Sequence, residues 1–262
     1  MKHHTTVLLI ILALLCGCSH FDRKRSGVPS ADSHPEGIPS ALHIVSSLKK
    51  TNAGLKSYKG IGRIKFGNGD RKNQRMRTVF AGYNAEKLRF EILGLSGQPI
   101  TSIAHDGTWF YLAEFAASRF YRKRLPDADL EQLINIPIKI NTINSLLSGQ
   151  VPMIDHASAS LEFEPSGNGF VLLLKKGWWF RQQEKIYLYH DLKTAWKYEM
   201  FEGEDDLVYR LKITDFKNYQ GYQIPQMIEF VGREGATLWL EIERYWVNAD
   251  VDMSLFVLKP PP

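Results

Sequence analysis

Cys18 has the most specific chemical setting of any side chain in this chain. It closes the tetrapeptide Leu15-Cys16-Gly17-Cys18, directly after the apolar run Val7–Leu15 and a short N-terminal segment carrying Lys2. Basic start, apolar core, small residue and cut site, in that order, make a secretory leader. The run is too short to span a bilayer, which takes about 20 apolar residues. The chemistry on offer is attachment of a lipid to the thiol. Other chemistries have weaker support. His43, His105, His156 and His190 are scattered without metal-ligand spacing, and His190-Asp191 reads as a strand end. No G-x-S-x-G elbow, P-loop or H-E-x-x-H is present. Glu162 and Glu164 share a strand parity with Ser160 and are expected to face solvent. Glu202, Glu204, Asp205 and Asp206 could hold a cation, or form a solvated hairpin tip. The expectation is therefore a protein that is not an enzyme and has no metal and no cofactor.

Leu at −3, Gly at −1 and Cys at +1 resemble the bacterial lipobox. There the Cys thiol is joined to diacylglycerol, the leader is removed and the new amino group is acylated. A leader without lipid, or a short uncleaved anchor, is the alternative. Cys16 fits less well, because Leu15 is too large for the −1 position. Cleavage before Cys18 removes Lys2 and Cys16, so the one remaining thiol carries the lipid, and neither a disulfide nor a thiolate metal site is expected. Lys+Arg falls from 33 to 32 against 28 Asp+Glu, leaving +4. That mild excess suits anionic headgroups and falls short of a dedicated nucleic-acid binder. Ser19 follows the Cys where Asp would be the enteric retention signal, which points to the outer membrane.

Residues 19–39 are rich in Ser, Gly, Pro and charge, with no apolar period. They read as a flexible tether reaching roughly 25 Å. The divisions expected are thus a leader over 1–17, a tether over 18–39 and one domain over 40–262. Basic runs at Arg71–Arg77 and Arg119–Arg124 are expected to be solvated hairpin ends or contacts to anionic lipid. The stretch Lys175–Arg181 sets Trp178, Trp179 and Phe180 between cations. It reads either as an interfacial anchor or as a turn whose aromatics fold back on the core.

The elements that must position these groups follow from periodicity. Ser40 can cap a helix to about Ala53, with Leu42, Val45 and Leu48 on one face and Ile44 as a further candidate for it. After it the period changes to two: Leu88-Arg89-Phe90-Glu91-Ile92 is an in-out strand, and His105-Asp106-Gly107-Thr108 marks a hairpin. Pro126–Ile134 opens like a helix, and Asn141–Leu147 reads as a second short helix capped by Asn141. The fold class expected is mainly β with a few helices: about ten or eleven antiparallel strands in an incomplete, half-open barrel covered by a helical lid.

Leu88–Gly97, the hairpin with Asp106-Gly107, Leu133-Ile134-Asn135-Ile136-Pro137-Ile138 and Leu146-Leu147-Ser148-Gly149 together resemble the LolB family, over about residues 55–155. LolB is the outer-membrane receptor that takes lipoproteins from the periplasmic carrier LolA. The C-terminal third, from Gly221 through Phe256, looks more like the ending of the wider LolA-like superfamily. The resemblance implies a half-barrel whose concave face and lid enclose a hydrophobic cavity for acyl chains. It places Phe90, Ile92, Ile103, Trp109 and Phe110 on the cavity side and Ile134, Ile136, Ile143, Leu146 and Leu147 in the lid. The family's protruding apolar loop maps onto Leu95, with Leu93 beside it, as the contact to cargo or membrane. Acylated lipoproteins, a LolA-like carrier and the membrane are the partners implied; nucleic acid is not, and a monomer is expected. Two other functions fit the same residues: a protein-binding subunit of an envelope assembly or export system, and a carrier of free lipid.

Overall fold

Thirteen strands form where ten or eleven were expected. The computed structural model describes residues 38–67, 75–177 and 181–260. The strands are β1 (Ser57–Gly67), β2 (Arg75–Tyr83), β3 (Lys87–Leu93), β4 (Pro99–His105), β5 (Trp109–Glu114), β6 (Arg119–Arg124), β7 (Ser158–Phe163), β8 (Phe170–Lys175), β9 (Gln182–Leu188), β10 (Ala195–Glu202), β11 (Asp206–Tyr219), β12 (Tyr222–Gly232) and β13 (Thr237–Val247). They make one antiparallel sheet in the order β6-β5-β4-β3-β2-β1-β13-β12-β11-β10-β9-β8-β7. Each half is a meander, and β1 pairs with β13 to join the halves. The sheet is open, with β6 and β7 as its two edges, and among the described residues no strand pairing closes it into a barrel.

One strand that periodicity does not mark is β6. Its basic sequence lacks an apolar alternation because the strand lies on the sheet edge, where most of its side chains are exposed. Charged edge strands of this kind resist pairing with other chains.

Period-two burial is clearest in β3, where Leu88, Phe90 and Ile92 are buried and the residues between them are half-buried. These side chains enter a continuous core on one face of the sheet. The other face of the first half is covered by the C-terminal segment: Phe256 packs with Ala81 and Val251, and Leu258 with Ala104, Tyr111 and Ala113.

Among the described residues three α-helices accompany the sheet. In α1 (Ala41–Lys49), the Ser40 hydroxyl accepts the His43 N–H at 3.3 Å, and Ala41, Ile44, Val45 and Leu48 are buried. Leu42, expected on that face, is exposed instead, because the buried stripe runs through Ile44, and each of the three larger buried side chains contributes about 1.5–3 kcal/mol. The helix stops at Lys49, four residues short of Ala53, and turns occupy the interval. Of Pro126–Ile134 only α2 (Glu131–Ile134) is helical. The residues before it turn inward, burying Ala128 and Leu130, and Asp129 forms a bridge to Lys139. α3 (Ile140–Leu147) starts one residue before Asn141, with Lys139 in the cap position and no side-chain cap.

Candidate functional site

Leu88, Phe90 and Ile92 of β3 line one wall of an apolar cavity of about 300 Å³. Ile103 of β4 and Ile64 and Phe66 of β1 extend that wall, and Ile228, Phe230, Leu238 and Leu240 continue it across β12 and β13. Leu133 and Ile134 of α2 and Ile140, Ile143, Leu146 and Leu147 of α3 form the opposite wall. Glu114 lies in the lining and is engaged by Arg119, whose guanidinium donates at 2.9 Å. A cavity so lined favours apolar guests, since it offers a ligand little to hydrogen-bond and excludes water on the same ground.

α3 is held in place by polar contacts at its buried side. Asn144 is fully buried; its Oδ1 accepts the Tyr58 hydroxyl at 2.6 Å and its Nδ2 donates to the Lys87 carbonyl at 3.3 Å. The Tyr245 hydroxyl donates to the Leu147 carbonyl at 2.8 Å. Past the helix end, Asn52 Nδ2 donates to the Ser148 and Gly149 carbonyls and to that of Gln223 in β12. Gly149 has φ +65°, and an added Cβ would stand 2.1 Å from the Gln223 carbonyl oxygen. Burial pushes the Tyr58 hydroxyl well above the usual phenol range, so it stays a donor. α2 has fewer ties and is more open, with Leu133 exposed although it lines the cavity.

This sheet and its helices match solved structures at low sequence identity. A LolA superfamily protein from Nitrosomonas europaea superposes with TM-score 0.57 at 14% identity, over 84% of this chain and 99% of that one. A domain assigned to outer-membrane lipoprotein sorting from Vibrio parahaemolyticus gives TM-score 0.59 at 12% identity, over 82% and 95%. The fold is of the LolA type. A DUF1329 family protein from Desulfovibrio piger shares it as well, at TM-score 0.55 and 11% identity over 83% and 94%. No family model and no curated protein matches the chain by sequence.

Within this LolA-type fold, Phe90, Ile92, Ile103, Ile134, Ile143, Leu146 and Leu147 meet around the cavity. Trp109 does not. It has the opposite strand parity to Phe110 and lies on the other face, under the Arg122 guanidinium at 4.2 Å. Phe110 is buried in the core but packs edge-on against Tyr121, outside the cavity lining. Ile136 is fully buried against Gly232, also outside it. Leu95 is 110% exposed at the tip of the β3–β4 turn. That turn is closed by Gly94 N–H to the Gln98 carbonyl and by Gly97 N–H to the Gly94 carbonyl, with Gly97 at φ +84°. Leu93, half-buried, pairs with Pro99 at the base of the turn.

Cys18, Trp178, Trp179, Phe180 and residues 71–74 lie outside the described residues. Arg119 pairs with Glu114, and Arg122 stacks on Trp109 and Tyr111. Glu202 and Asp206 are paired with Arg233 at 3.4 and 3.5 Å. His105 is buried between the Glu86 and Leu125 carbonyls. Among the described residues no group of three or more His, Cys, Asp or Glu could hold a metal ion, and no helix is long and apolar enough to cross a membrane.

Two polar residues that sequence reasoning missed organise the interior. Asn144 falls within the Ile140-Ile143-Leu147 face, and a lone amide in an apolar helical stripe is the signal that could have found it. Glu184 of β9 is buried, accepts the Ile154 N–H at 2.9 Å, and has its carboxyl pushed up by burial to about 7. The acid alternates with Ile186 and Leu188 on the core side, so strand parity marks it as inward-facing.

Proposed function

We propose that this chain receives the acyl chains of lipoproteins in the cavity between sheet and helices, and helps deliver them to the bacterial outer membrane in the manner of LolB. The observation that carries the reading is the apolar cavity under α2 and α3. An acyl chain leaving a membrane or a carrier costs about 0.8 kcal/mol per exposed CH₂, and a cavity of this kind offsets that cost. The LolA-type fold, shared with a domain assigned to lipoprotein sorting, supports the same reading. In this proposal α2 and α3 act as the lid, and α2, with fewer ties, is the part that shifts. Leu95 is the apolar tip that touches cargo or membrane. Acylated Cys18, carrying diacylglycerol and an N-acyl chain, anchors the protein on the periplasmic side of the outer membrane. A LolA-like carrier is the donor, and the receptor works as a monomer.

The test mixes the full chain carrying Cys18→Ala with a lipoprotein loaded on its LolA-type carrier, and with the same cargo lacking acyl chains. Acylated cargo alone is expected to transfer. Leu133→Glu, at an exposed position in the lining, is expected to weaken capture about tenfold or more, because apolar burial of a Leu is worth about 1.5–3 kcal/mol. Leu95→Glu is expected to spare capture and slow release into vesicles. Transfer of unacylated cargo would overturn the reading in favour of a protein-binding subunit. Capture of free fatty acid but not of acylated protein would overturn it in favour of a free-lipid carrier.

A further inference from the structure

A second cavity, of about 560 Å³, opens between the end of α1, the end of α3 and the β9–β10 turn. The register sets it toward the other end of the strands from Leu95: Pro225, in its lining, lies near the start of β12, whereas Leu93 at the end of β3 maps through β2, β1 and β13 onto Met227, and Leu95 lies beyond it. Its character differs from that of the first cavity. The floor is apolar, from Ala195, Ile213 and Phe216, and the rim carries Lys50 and Lys193. Neither lysine forms an ion pair within 4.0 Å among the described residues, although the Lys193 charge helps hold the Asp191 carboxyl low. The carboxylate in the lining, Asp191, is already engaged: it accepts the backbone N–H of Lys193 and Thr194 and the Thr194 hydroxyl at 2.7–2.9 Å. Asn52 is likewise committed to three backbone carbonyls.

One polar group is left over. Tyr198 lines the cavity and is 3% exposed, yet its hydroxyl has no hydrogen-bond partner among the described residues. The side chain lines the cavity, where a ligand atom can reach it. Two lysines, a hydroxyl and an apolar floor together select a molecule with an anionic head and an apolar body.

We propose that this second cavity binds an anionic amphiphile, its phosphate or carboxylate held by Lys50, Lys193 and the Tyr198 hydroxyl and its apolar part laid over Ile213 and Phe216. The site is separate from the acyl cavity and does not depend on the role proposed for that cavity.

The test titrates the full chain with dodecyl phosphate, with inorganic phosphate and with dodecanol, each below its aggregation limit, by calorimetry. Dodecyl phosphate is expected to bind at least tenfold more tightly than either of the others. Tyr198→Phe is expected to weaken it about tenfold, the effect of losing one hydrogen bond to a charged group. Lys50→Glu with Lys193→Glu is expected to abolish it, both positions being exposed and tolerant. Leu133→Glu, in the other cavity, is expected to leave it unchanged. Equal affinity for inorganic phosphate would make the site one for the free anion and overturn the amphiphile. Equal affinity for dodecanol, or insensitivity to the double charge reversal, would remove the cations from recognition and overturn the proposal. Loss of binding in Leu133→Glu would assign the ligand to the first cavity and do the same.

Discussion

At pH 8 the Glu184→Gln variant is expected to be more stable than the parent by about 3 kcal/mol, and at pH 4.5 the two are expected to melt nearly together. Burial pushes the Glu184 carboxyl up to about 7 in the folded protein, from an ordinary value of 4.5. A raised carboxylate means that the folded state holds its proton where the unfolded chain has released it. Stability then falls as pH rises from the unfolded value to the folded one, and changes no further above about pH 7. A shift of this size is worth about 3 kcal/mol, or roughly 6–12 °C in melting temperature for a domain this large. Gln keeps an acceptor for the Ile154 N–H and cannot ionise, so it retains the contact and loses the slope. Asp106, Asp191 and Glu199 act in the opposite sense. Hydrogen bonds to their charged forms outweigh burial and hold their carboxyls low, so their contribution is lost only as pH falls below the unfolded carboxylate range. Between pH 4.5 and 7 the slope belongs to Glu184. Melting curves at four or five pH values decide it: a variant that keeps the parent's slope would place the titrating group elsewhere.

Ile154 lies on the connection from α3 to β7, and its N–H donates to the Glu184 carboxyl. That bond favours the charged carboxylate and opposes the upward push of burial, which is the larger of the two effects.

Much of the sheet was legible because half-buried strands write their parity into sequence. Leu88, Phe90 and Ile92 alternate with Arg89 and Glu91, and the structure turns the apolar three inward. The period failed where a strand has no buried face. Arg119–Arg124 sits on the edge, and its Phe and Tyr stand among cations without alternation. Parity also sorted cavity residues only up to a limit. It separates Trp109 from Phe110, but it cannot say that Phe110 lies beyond the end of the cavity, because that depends on where α3 crosses the sheet. Helix ends misled for a related reason. Pro126 and the acids after it look like a helix start, yet Ala128 and Leu130 gain more by turning into the core than by continuing a regular face. The second cavity had no sequence signal. Lys193 and Tyr198 lie close together on the β9–β10 turn and β10, but Lys50 is far from them along the chain, and only the seat of α1 brings it to the same place.

Asn144→Ala is expected to cost about 3 kcal/mol and to weaken acyl binding without changing any residue of the cavity lining. The side chain accepts from Tyr58 at 2.6 Å and donates to the Lys87 carbonyl. Its removal leaves a fully buried hydroxyl without an acceptor, at about 1–3 kcal/mol, and adds a void that the neighbouring rings cannot fill. Tyr58 is stacked on Tyr245 at 5.6 Å and set edge-on to Phe80, with Gly82 opposite leaving room for its ring. A shift of Tyr58 therefore meets packed aromatics on several sides. Tyr58→Phe removes the donor in place of the acceptor, so the two changes delete one interaction. In a double-mutant cycle they are expected to be less than additive by about 1–2 kcal/mol. Full additivity would mean that the bond seen between sheet and helix contributes nothing to stability. Ile143 and Leu147 flank Asn144 on α3 and line the cavity, so loosening the helix moves the wall itself. If acyl affinity stays at the parental value while stability falls, α3 is a fixed wall, and in the proposed function any part that yields to an incoming chain is confined to α2.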